Sequence, residues 1–461
     1  MFIPVTMHKA EKYAIDRRVM SDGLFAYLKK SFGGCRKVYN YYVDFLYKKL
    51  EKLHYQVGDP IPDLTLPEVT AIKKEFPYLS EIDSLGLANE KLDFQDAVKR
   101  FNENFDHKTY TKRALRRDRS GTEPLSFRGL KGMPKFHAKA RGYFSYTTNC
   151  QYPAENNNLR RPTIRLEQDF LHLPKLKEDL RLIIHRPLPE GAVINNVTIS
   201  MDSDGQLFAS IGYTYTVLMD MTLREAALAG DESILDRISI LGLDYSQPDF
   251  YVDSEGRKAN PPHAYVKLEE RIAFHQRELS RMQKGSKNYE KKLKQIQRLQ
   301  KKAKNQRLDY TQKESTYLVS RYDVIVVEDI DLRAMGSALS LGKNLHDNGF
   351  GMFRDMLSYK LEQKGSVLVK TDKWFPSTKT CSCCGHVNPE VTLGVKEWTC
   401  PECGTHHLRD HNAAVNIREE GRRILLTYLS EWIREDEKAR ALAAARTNGR
   451  KNKNKKETKT A

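Results

Sequence analysis

The sequence predicts a multidomain α/β protein, in which a β-rich region interrupted by helices precedes an α/β domain of parallel character. A chain of 461 residues is too long for one hydrophobic core, and its length favours about three domains. Apolar strand-like runs at 238–243 and 324–327 flank a helix-rich region at about 265–310. Four cysteines at zinc-ribbon spacing, between 381 and 403, indicate a small metal-stabilised module inserted in this domain.

The first half of the chain predicts a small barrel or sandwich with a helical insert. Residues 1–20 are strand-like, whereas residues 23–53 and 67–106 follow a helical period. Segments 193–201 and 207–215 alternate apolar and polar residues on either side of an Asp-Ser-Asp-Gly turn, which predicts a hairpin.

The second half alternates predicted strands and helices. The region 265–310 is expected to break at Gly285, and an amphipathic helix at 353–364 is followed by a strand at 367–369. Asp410 occupies the position of a helix N-cap before a run of helix formers at 413–429. Strands separated by helices predict parallel pairing.

Positive charge is concentrated in three segments of the chain. Residues 281–307, 108–141 and 446–461 carry net charges of +10, +9 and +6, which leaves −8 on the rest of a protein whose net charge is +17. An ordinary acidic body with three basic segments is typical of a nucleic-acid-binding protein. The alternative is a solvated helix face together with a basic disordered tail.

Composition also limits where the protein acts. No run of 18 apolar residues is present, and the first residues lack the pattern of a signal peptide, so neither a membrane span nor secretion is expected. Five of the seven cysteines lie between 381 and 403, which favours metal binding in a reducing compartment over disulfides. We therefore expect a cytosolic protein.

The cysteines predict one structural zinc ion. Cys381-x-x-Cys384 and Cys400-x-x-Cys403 are separated by fifteen residues, a spacing typical of a tetrathiolate zinc ribbon. Cys383 is the alternative to Cys384, but only Cys384 keeps both the spacing and the following glycine. Four thiolates leave no open coordination position, so the zinc is expected to be structural rather than catalytic.

Three acids are the candidate catalytic residues: Asp244, Glu328 and Asp410. Each alone is explained as a strand end, an ion-paired carboxylate or a helix cap. Together, two acids that end buried strands and a third that begins a helix can converge in a ribonuclease H-like sheet and bind two Mg²⁺ ions for phosphodiester hydrolysis. Other nearby acids are interpreted as structural: Asp249, Asp253, Asp329 and Asp331.

Nine motifs occur in one order along nearly the whole chain: Gly34-Cys-Arg-Lys-Val-Tyr-Asn40, Pro134-Lys-Phe136, Ser145-Tyr-Thr-Thr-Asn149, Leu173-Pro-Lys-Leu176, His185-Arg-Pro-Leu188, Gly242-Leu-Asp244, Val327-Glu328-Asp329, Pro376-Ser-Thr-Lys-Thr-Cys381 and Arg409-Asp410-His-Asn-Ala-Ala-Val-Asn416. This set resembles TnpB, the transposon-encoded family of RNA-guided DNA nucleases. The related miniature type V CRISPR effectors share the same layout.

The resemblance implies a wedge β-barrel interrupted by a helical recognition lobe, then a RuvC nuclease domain with an inserted zinc ribbon. The implied boundaries are 1–25 and 128–235 for the wedge, 26–127 for the recognition lobe, 236–375 for RuvC, 376–407 for the zinc ribbon that binds target nucleic acid, 408–435 for the final RuvC helix and 436–461 for the tail. By motif, the three acids match the RuvC acids and the four cysteines match the zinc ligands.

The resemblance also implies partners, namely a structured guide RNA and a double-stranded DNA target with a short flanking motif. Guide RNA is expected along 281–307 and 108–141, and candidate nucleic-acid contacts are Asn89, Tyr146, Thr148, Asn149, Lys291, Lys294 and Arg298. For the Tyr146-Thr-Thr148 run the alternative is an ordinary β-strand. A monomer is favoured over a homodimer.

Three other functions stay open at this point: a type V effector that uses CRISPR RNA, a cleavage-inactive guided repressor, and a transposase that joins DNA ends. Three features depart from the family pattern. These are the Tyr-Ser-Gln-Pro sequence after Asp244, the residue His411 and an enlarged region at 51–83.

Overall fold

The computed structural model describes residues 2–55, 59–104, 127–130, 132–139, 142, 144–155, 157–220, 223, 233–246, 249–330, 349–392, 394–425, 427–428, 430–431 and 434. Most of the predicted basic segment 108–141, Asp331 and the whole predicted tail 436–461 lie outside these ranges. The chain divides into two compact units, one of residues 6–216 and one of residues 1–5 with 217–461. None of the described helices is both long and apolar enough to cross a membrane.

The unit 6–216 is built on a seven-stranded sheet. Its strands are β1 (Phe2–Ile15), β2 (Ser145–Asn149), β3 (Arg165–Glu167), β4 (Phe170–His172), β5 (Leu180–Ile183), β6 (Val193–Met201) and β7 (Leu207–Asp220). Their order is β2-β6-β7-β1-β5-β4-β3, with β2 and β3 at the two ends among the described residues. The predicted hairpin forms β6 and β7, with Met201 opposite Leu207.

The predicted helical insert lies between β1 and β2. It comprises α1 (Asp22–Lys52), α2 (Val69–Glu75) and α3 (Ser84–Asn104), with 3₁₀ turns at Arg17–Val19, Pro77–Glu81 and Phe127–Gly129. α1 begins at Ser21, whose hydroxyl accepts a hydrogen bond from the backbone amide of Leu24 at 3.0 Å. The apolar stripe of α1 is buried in one core with α3 and the sheet, so the insert and the strands share a hydrophobic core.

The unit 217–461 contains the predicted α/β domain. Its sheet has the order β11-β10-β8-β9, built from β8 (Ile240–Ser246), β9 (Phe250–Asp253), β10 (Val324–Glu328) and β11 (Leu368–Thr371). β10 pairs in parallel with both β8 and β11, whereas β9 is antiparallel to β8. The first four residues of β10 are fully buried, as expected for a strand with both faces covered. The fold prediction is therefore confirmed.

The described ranges of this unit contain five helices: α4 (Ile234–Arg237), α5 (Val266–Ser280), α6 (Lys287–Arg321), α7 (Phe350–Lys364) and α8 (409–425). The break predicted at Gly285 separates α5 from α6, and Ser286 caps α6 by accepting from the amide of Tyr289 at 3.1 Å. A small antiparallel pair, β12 (Glu397–Thr399) and β13 (His406–Leu408), belongs to the cysteine module that precedes α8.

Two glycines bring α8 into direct contact with the sheet. A Cβ atom on Gly242 in β8 would lie 2.2 Å from the backbone oxygen of Ala414, and one on Gly421 in α8 would lie 2.3 Å from Val326. Real side chains do not tolerate such distances, so only glycine permits this packing. The close approach fixes the start of α8 against the central strands.

Candidate active site

Asp244 and Glu328 lie side by side on β8 and β10, the two central strands of the sheet, near the carboxyl-terminal ends of these strands. β8 and β10 are parallel neighbours, and their register pairs Val327 with Leu243. The next residue on each strand is an acid, because Glu328 follows Val327 and Asp244 follows Leu243. The parallel register thus brings the two predicted acids together.

Asp410 is delivered by the first turn of α8. The sequence predicted Asp410 as the N-cap, but the helix already includes Arg409, so Asp410 stands one residue inside it. Arg409 holds the Asp410 carboxylate, with its Nε and Nη2 atoms 2.9 Å and 2.8 Å from Oδ1. The positive end of the helix dipole also favours an acid at this position.

The electrostatics of Asp244 indicate that all three acids converge. Burial raises the pKa of Asp244 well above its usual range, and the charges of Glu328 and Asp410 raise it further. Arg409 acts in the opposite direction. Burial also raises the pKa of Glu328, against a hydrogen bond from Ser377 that lowers it. Carboxylates that repel one another across a desolvated site are the donor set that a divalent cation neutralises.

The acids are spaced more widely than the cysteines. Within the described ranges, only the four cysteines form a group of three or more His, Cys, Asp or Glu ligand atoms that all lie within 4.8 Å of one another. The three carboxylates are therefore not all within this distance of one another, and Asp410 is turned toward Arg409.

Three side chains that the sequence did not single out hold this edge together. The Ser377 hydroxyl donates to Glu328 Oε1 at 2.5 Å. Asn412 in α8 donates to the Thr380 carbonyl at 2.7 Å and accepts from the Ser382 amide at 2.9 Å. Asn416 donates to the Thr380 carbonyl at 2.6 Å. All three lie in the two sequence motifs that flank the cysteine module, 376–381 and 409–416. Membership of these motifs is the only sequence feature that pointed to them.

The structure brings the four predicted cysteine sulfurs into one cluster. Sγ of Cys381 lies 3.6 Å from that of Cys403, and the same distance separates Cys384 from Cys400. Four sulfurs bound to zinc at about 2.3 Å in a tetrahedron would be about 3.8 Å apart, so the cluster fits that ion. Cys383 is exposed and stands outside the cluster.

The two cysteine knuckles have the same backbone geometry. The amide of Gly385 donates to the Cys381 carbonyl at 2.9 Å, and that of Gly404 donates to the Cys400 carbonyl at 3.0 Å. Both glycines have positive φ values, 78° and 70°, which other residues rarely adopt. His407 Nε2 lies 3.0 Å from Cys381 Sγ, a contact that spacing alone did not predict.

The candidate nucleic-acid contacts in the unit 6–216 are mostly internal. Tyr146 and Thr148 are only 2% and 0% exposed, which supports the alternative of an ordinary strand position for both. The Thr148 hydroxyl donates to Asp83. Asn89 donates to the Thr147 carbonyl at 2.7 Å and accepts from Asn149 at 3.0 Å. These bonds attach β2 to α3, and of the four candidates only Asn149 is more than slightly exposed.

The candidate contacts on α6 form an exposed stripe. Lys291, Lys294 and Arg298 are all exposed and lie three and four residues apart, so they share one helical face. Lys287 and Lys302 extend the same face, four residues before and four residues after this trio. We call these five residues the α6 cation stripe; its spacing suits a polyanion lying along the helix.

Two family models match parts of the unit 217–461. The model described as "Probable transposase" matches residues 237–338, which include Asp244 and Glu328. The model described as "Cas12f1-like, TNB domain" matches residues 350–417, which include the cysteines and Asp410.

Curated relatives support the same relationship, and each is named as a candidate RNA-guided DNA endonuclease. One from Streptomyces pristinaespiralis is 35% identical over 251 residues, 54% of this chain and 59% of that protein. InsQ from Escherichia coli K12 is 28% identical over 248 residues, 50% of this chain and 58% of InsQ. A Mycobacterium tuberculosis relative is 37% identical over 145 residues, 30% of this chain and 31% of its own length. The chain thus spans less than two thirds of each.

A solved Cas12f1–sgRNA–target DNA complex is also similar, at 13% identity and a TM-score of 0.47, covering 90% of this chain and 99% of that one. The sequence matches confirm the resemblance to the TnpB family that the motifs predicted.

Proposed function

We propose that this chain, a member of the TnpB family, is an RNA-guided DNA endonuclease with a single RuvC site that acts in the prokaryotic cytosol. The observation that carries the proposal is the parallel register that sets Asp244 beside Glu328, with Asp410 near enough for its charge, like that of Glu328, to raise the pKa of Asp244. Three acids on two parallel strands and one helix are what metal-assisted phosphodiester hydrolysis needs.

In this proposal the three carboxylates hold Mg²⁺, for which oxygen ligands are preferred. A pair of ions there would supply an activated water and charge stabilisation for the leaving 3′-oxygen. The other side chains of the site orient the three carboxylates. Ser377 orients Glu328 through a hydrogen bond, and Arg409 orients Asp410 through an ion pair.

The cysteine cluster holds one zinc ion as a structural element in this proposal. Its four sulfurs leave no position for a substrate, so it takes no part in the chemistry. Its function is to fold the segment between β11 and α8, which supplies Ser377 at one end and Asp410 beyond the other.

Guide RNA is proposed to lie along the α6 cation stripe, and pairing between guide and target would then read the sequence of the DNA. We assign the β-rich unit to the wedge, the helical insert to the recognition lobe, and the unit with the three acids to RuvC with its zinc ribbon. In the first unit, Asn149 is the candidate that retains access to DNA.

The test replaces Asp244 with Ala in the guide RNA complex. Cleavage of a matched plasmid in Mg²⁺ should disappear, while binding of guide and target should persist. Asp236→Asn is a matched control, because Asp236 is an exposed acid paired with Arg422, and it should cut normally. If Asp244→Ala still cuts, the assignment of the acids is wrong. If the unaltered protein binds its target but never cuts in Mg²⁺, it is a guided repressor.

A second candidate concerns the source of the guide. Residues 350–417 match the Cas12f1-like model, which favours a miniature type V CRISPR effector. Sequencing the RNA that co-purifies separates the two sources. A transcript from a transposon end identifies a TnpB nuclease, and repeat-derived RNA identifies a CRISPR effector. Recovery of no discrete RNA contradicts the guided function.

A further inference from the structure

Trp374 is the most exposed large apolar side chain among the described residues. It is 79% exposed, ahead of Leu218 at 66%. Single exposed apolar residues are common, but an indole left almost entirely in water forgoes a large favourable burial energy. Trp374 lies in the segment 372–376, between the end of β11 and the start of the cysteine module.

This segment begins and ends beside Glu328. Thr371 is the last residue of β11 and directly precedes the segment. It pairs with Glu328 in the parallel register of β10 and β11. Ser377, which follows the segment, donates its hydroxyl to Glu328 Oε1 at 2.5 Å. Trp374 is three residues from both contacts, so its Cα lies within about 10 Å of either anchoring residue. The indole therefore stands close to the candidate active site.

Backbone hydrogen bonds fix the conformation of the segment. The Trp374 amide donates to Asp372 Oδ1 at 2.7 Å, and the Phe375 amide donates to the Asp372 carbonyl at 3.0 Å. The Ser377 amide then donates to the Phe375 carbonyl at 2.8 Å. The turn holds the indole outward in a defined position, which lowers the entropy lost when it contacts a ligand.

Charge near the indole favours an anionic ligand. Lys373 Nζ lies 4.9 Å from the Trp374 ring centroid, and Lys379 is exposed a few residues further on. The one acid in the segment, Asp372, is engaged by the Trp374 amide. An exposed aromatic ring beside cations is the combination that binds single-stranded nucleic acid, because bases stack on the ring while phosphates contact the cations.

We propose that Trp374 stacks on a base of the single DNA strand that enters the acid site, with Lys373 at a neighbouring phosphate. The inference rests on the proposed nuclease function and assigns its substrate a contact. Because the Trp374 Cα lies within about 10 Å of the two residues that flank Glu328, the stacked base is expected close to the cleaved phosphate along the strand. Trp374 acts here in strand positioning rather than in the chemical step.

The first test measures cleavage of a guide-matched single strand by the guide RNA complex. Trp374→Leu keeps an apolar side chain without a stacking face, and it should raise KM about tenfold while kcat stays within about threefold. Trp374→Phe should stay close to the unaltered protein. Phe274→Leu is the matched control, because Phe274 is exposed on α5, and its KM should not change.

The second test does not depend on cleavage. In the Asp244→Ala complex, 2-aminopurine is moved one position at a time through the target strand. Its fluorescence should be quenched at one position near the cleavage point, and Trp374→Leu should abolish that quenching.

The outcomes separate the two claims. If the unaltered complex never cuts, the proposed function fails. If it cuts, but Trp374→Leu changes neither KM nor the 2-aminopurine signal, the stacking inference is wrong and the nuclease assignment stands. Absence of any effect of Trp374→Leu on 2-aminopurine, together with a lower melting temperature of the protein alone, would show instead that the indole packs on another part of this chain.

Discussion

Asn416 donates its side-chain amide to the backbone carbonyl of Ser377 at 2.7 Å, and this bond joins the helix of one acid to the residue that holds another. Ser377 contacts Glu328, whereas Asn416 lies two helical turns beyond Asp410. The bond crosses the whole cysteine module in sequence, from residue 377 to residue 416. The spacing between Glu328 and Asp410 is therefore set by side chains that need not touch the substrate.

Replacing Asn416 with Ala should slow cleavage about 10- to 100-fold, because it removes the side-chain donor to the Ser377 carbonyl in a buried region, at a cost of about 1–3 kcal/mol. The Thr380 carbonyl keeps its hydrogen bond from Asn412. Single-turnover rates at saturating target would measure the effect. Guide RNA affinity should not change. Asn157→Ala is a control, since Asn157 lies on an exposed turn of the other unit. A rate equal to that of the unaltered protein would show that the hydrogen bond from Asn416 to Ser377 does not position the acids.

Removing the cysteine ligands should disable cleavage without touching the acids. Cys403→Ser should lose most of the bound zinc, measured by metal analysis, and reduce cleavage at least tenfold by releasing the segment that carries Ser377. Cys383→Ser is the matched control, because this thiol is exposed and outside the cluster, and it should retain both metal and activity. Zinc loss with full activity would contradict the structural link between ribbon and acids.

Neutralising the α6 cation stripe should weaken guide RNA binding. The triple change of Lys291, Lys294 and Arg298 to Gln should lower affinity at least tenfold and reduce the slope of log K against log salt by about 2, at ~0.7 for each phosphate contact. Filter binding over a salt series would measure both. Lys313→Gln, on the same helix but already paired with Asp309 at 2.7 Å, is the control. An unchanged slope would exclude this face as the RNA contact.

Glu90 predicts a pH dependence of stability in the unit 6–216. It is 8% exposed on α3, and burial together with the charge of Asp93 raises its pKa to about 7. In the unfolded chain the pKa of Glu90 is near 4.5. The free energy of unfolding is therefore highest below pH 4.5, and it falls as the pH rises toward 7. Glu90→Gln cannot ionise and should be more stable than the unaltered protein by about 3 kcal/mol at pH 8, with little difference at pH 4.5.

Thermal unfolding at the two pH values would measure this difference. Glu103→Gln, on the same helix but with a solvated carboxylate, controls for the loss of one charge. Equal stabilisation by Glu90→Gln at both pH values would mean that Glu90 is ionised in the folded protein.

The sequence was most informative where local pattern decides structure. The apolar runs ending in Asp244 and Glu328 predicted β8 and β10, and the break at Gly285 predicted the boundary between α5 and α6. These signals depend on periodicity and on turn residues within a few positions, so no tertiary information was needed.

Tertiary partners were not predictable in the same way. Ser-Tyr-Thr-Thr-Asn has polar residues on both faces of a strand, so only the packing of one face against the start of α3, where Thr148 donates to Asp83, determines that this hydroxyl is buried. The bond from Asn416 to Ser377 joins positions 39 residues apart, and β9 is an edge strand whose pairing with β8 carries no periodic signal. Each depends on how the chain folds back, which a local pattern does not contain.

The parallel strands and α8 differ in when they become available during synthesis. When residues up to Thr371 have left the ribosome, β8, β9, β10 and β11 have been synthesised. Asp410 and Asn416 have not yet been synthesised at that point. Because α8 must lie on Gly242 before Asp410 can join the other acids, a nascent or prematurely terminated chain has an incomplete site. Under the proposed function, a chain that stops before α8 therefore lacks a complete nuclease site.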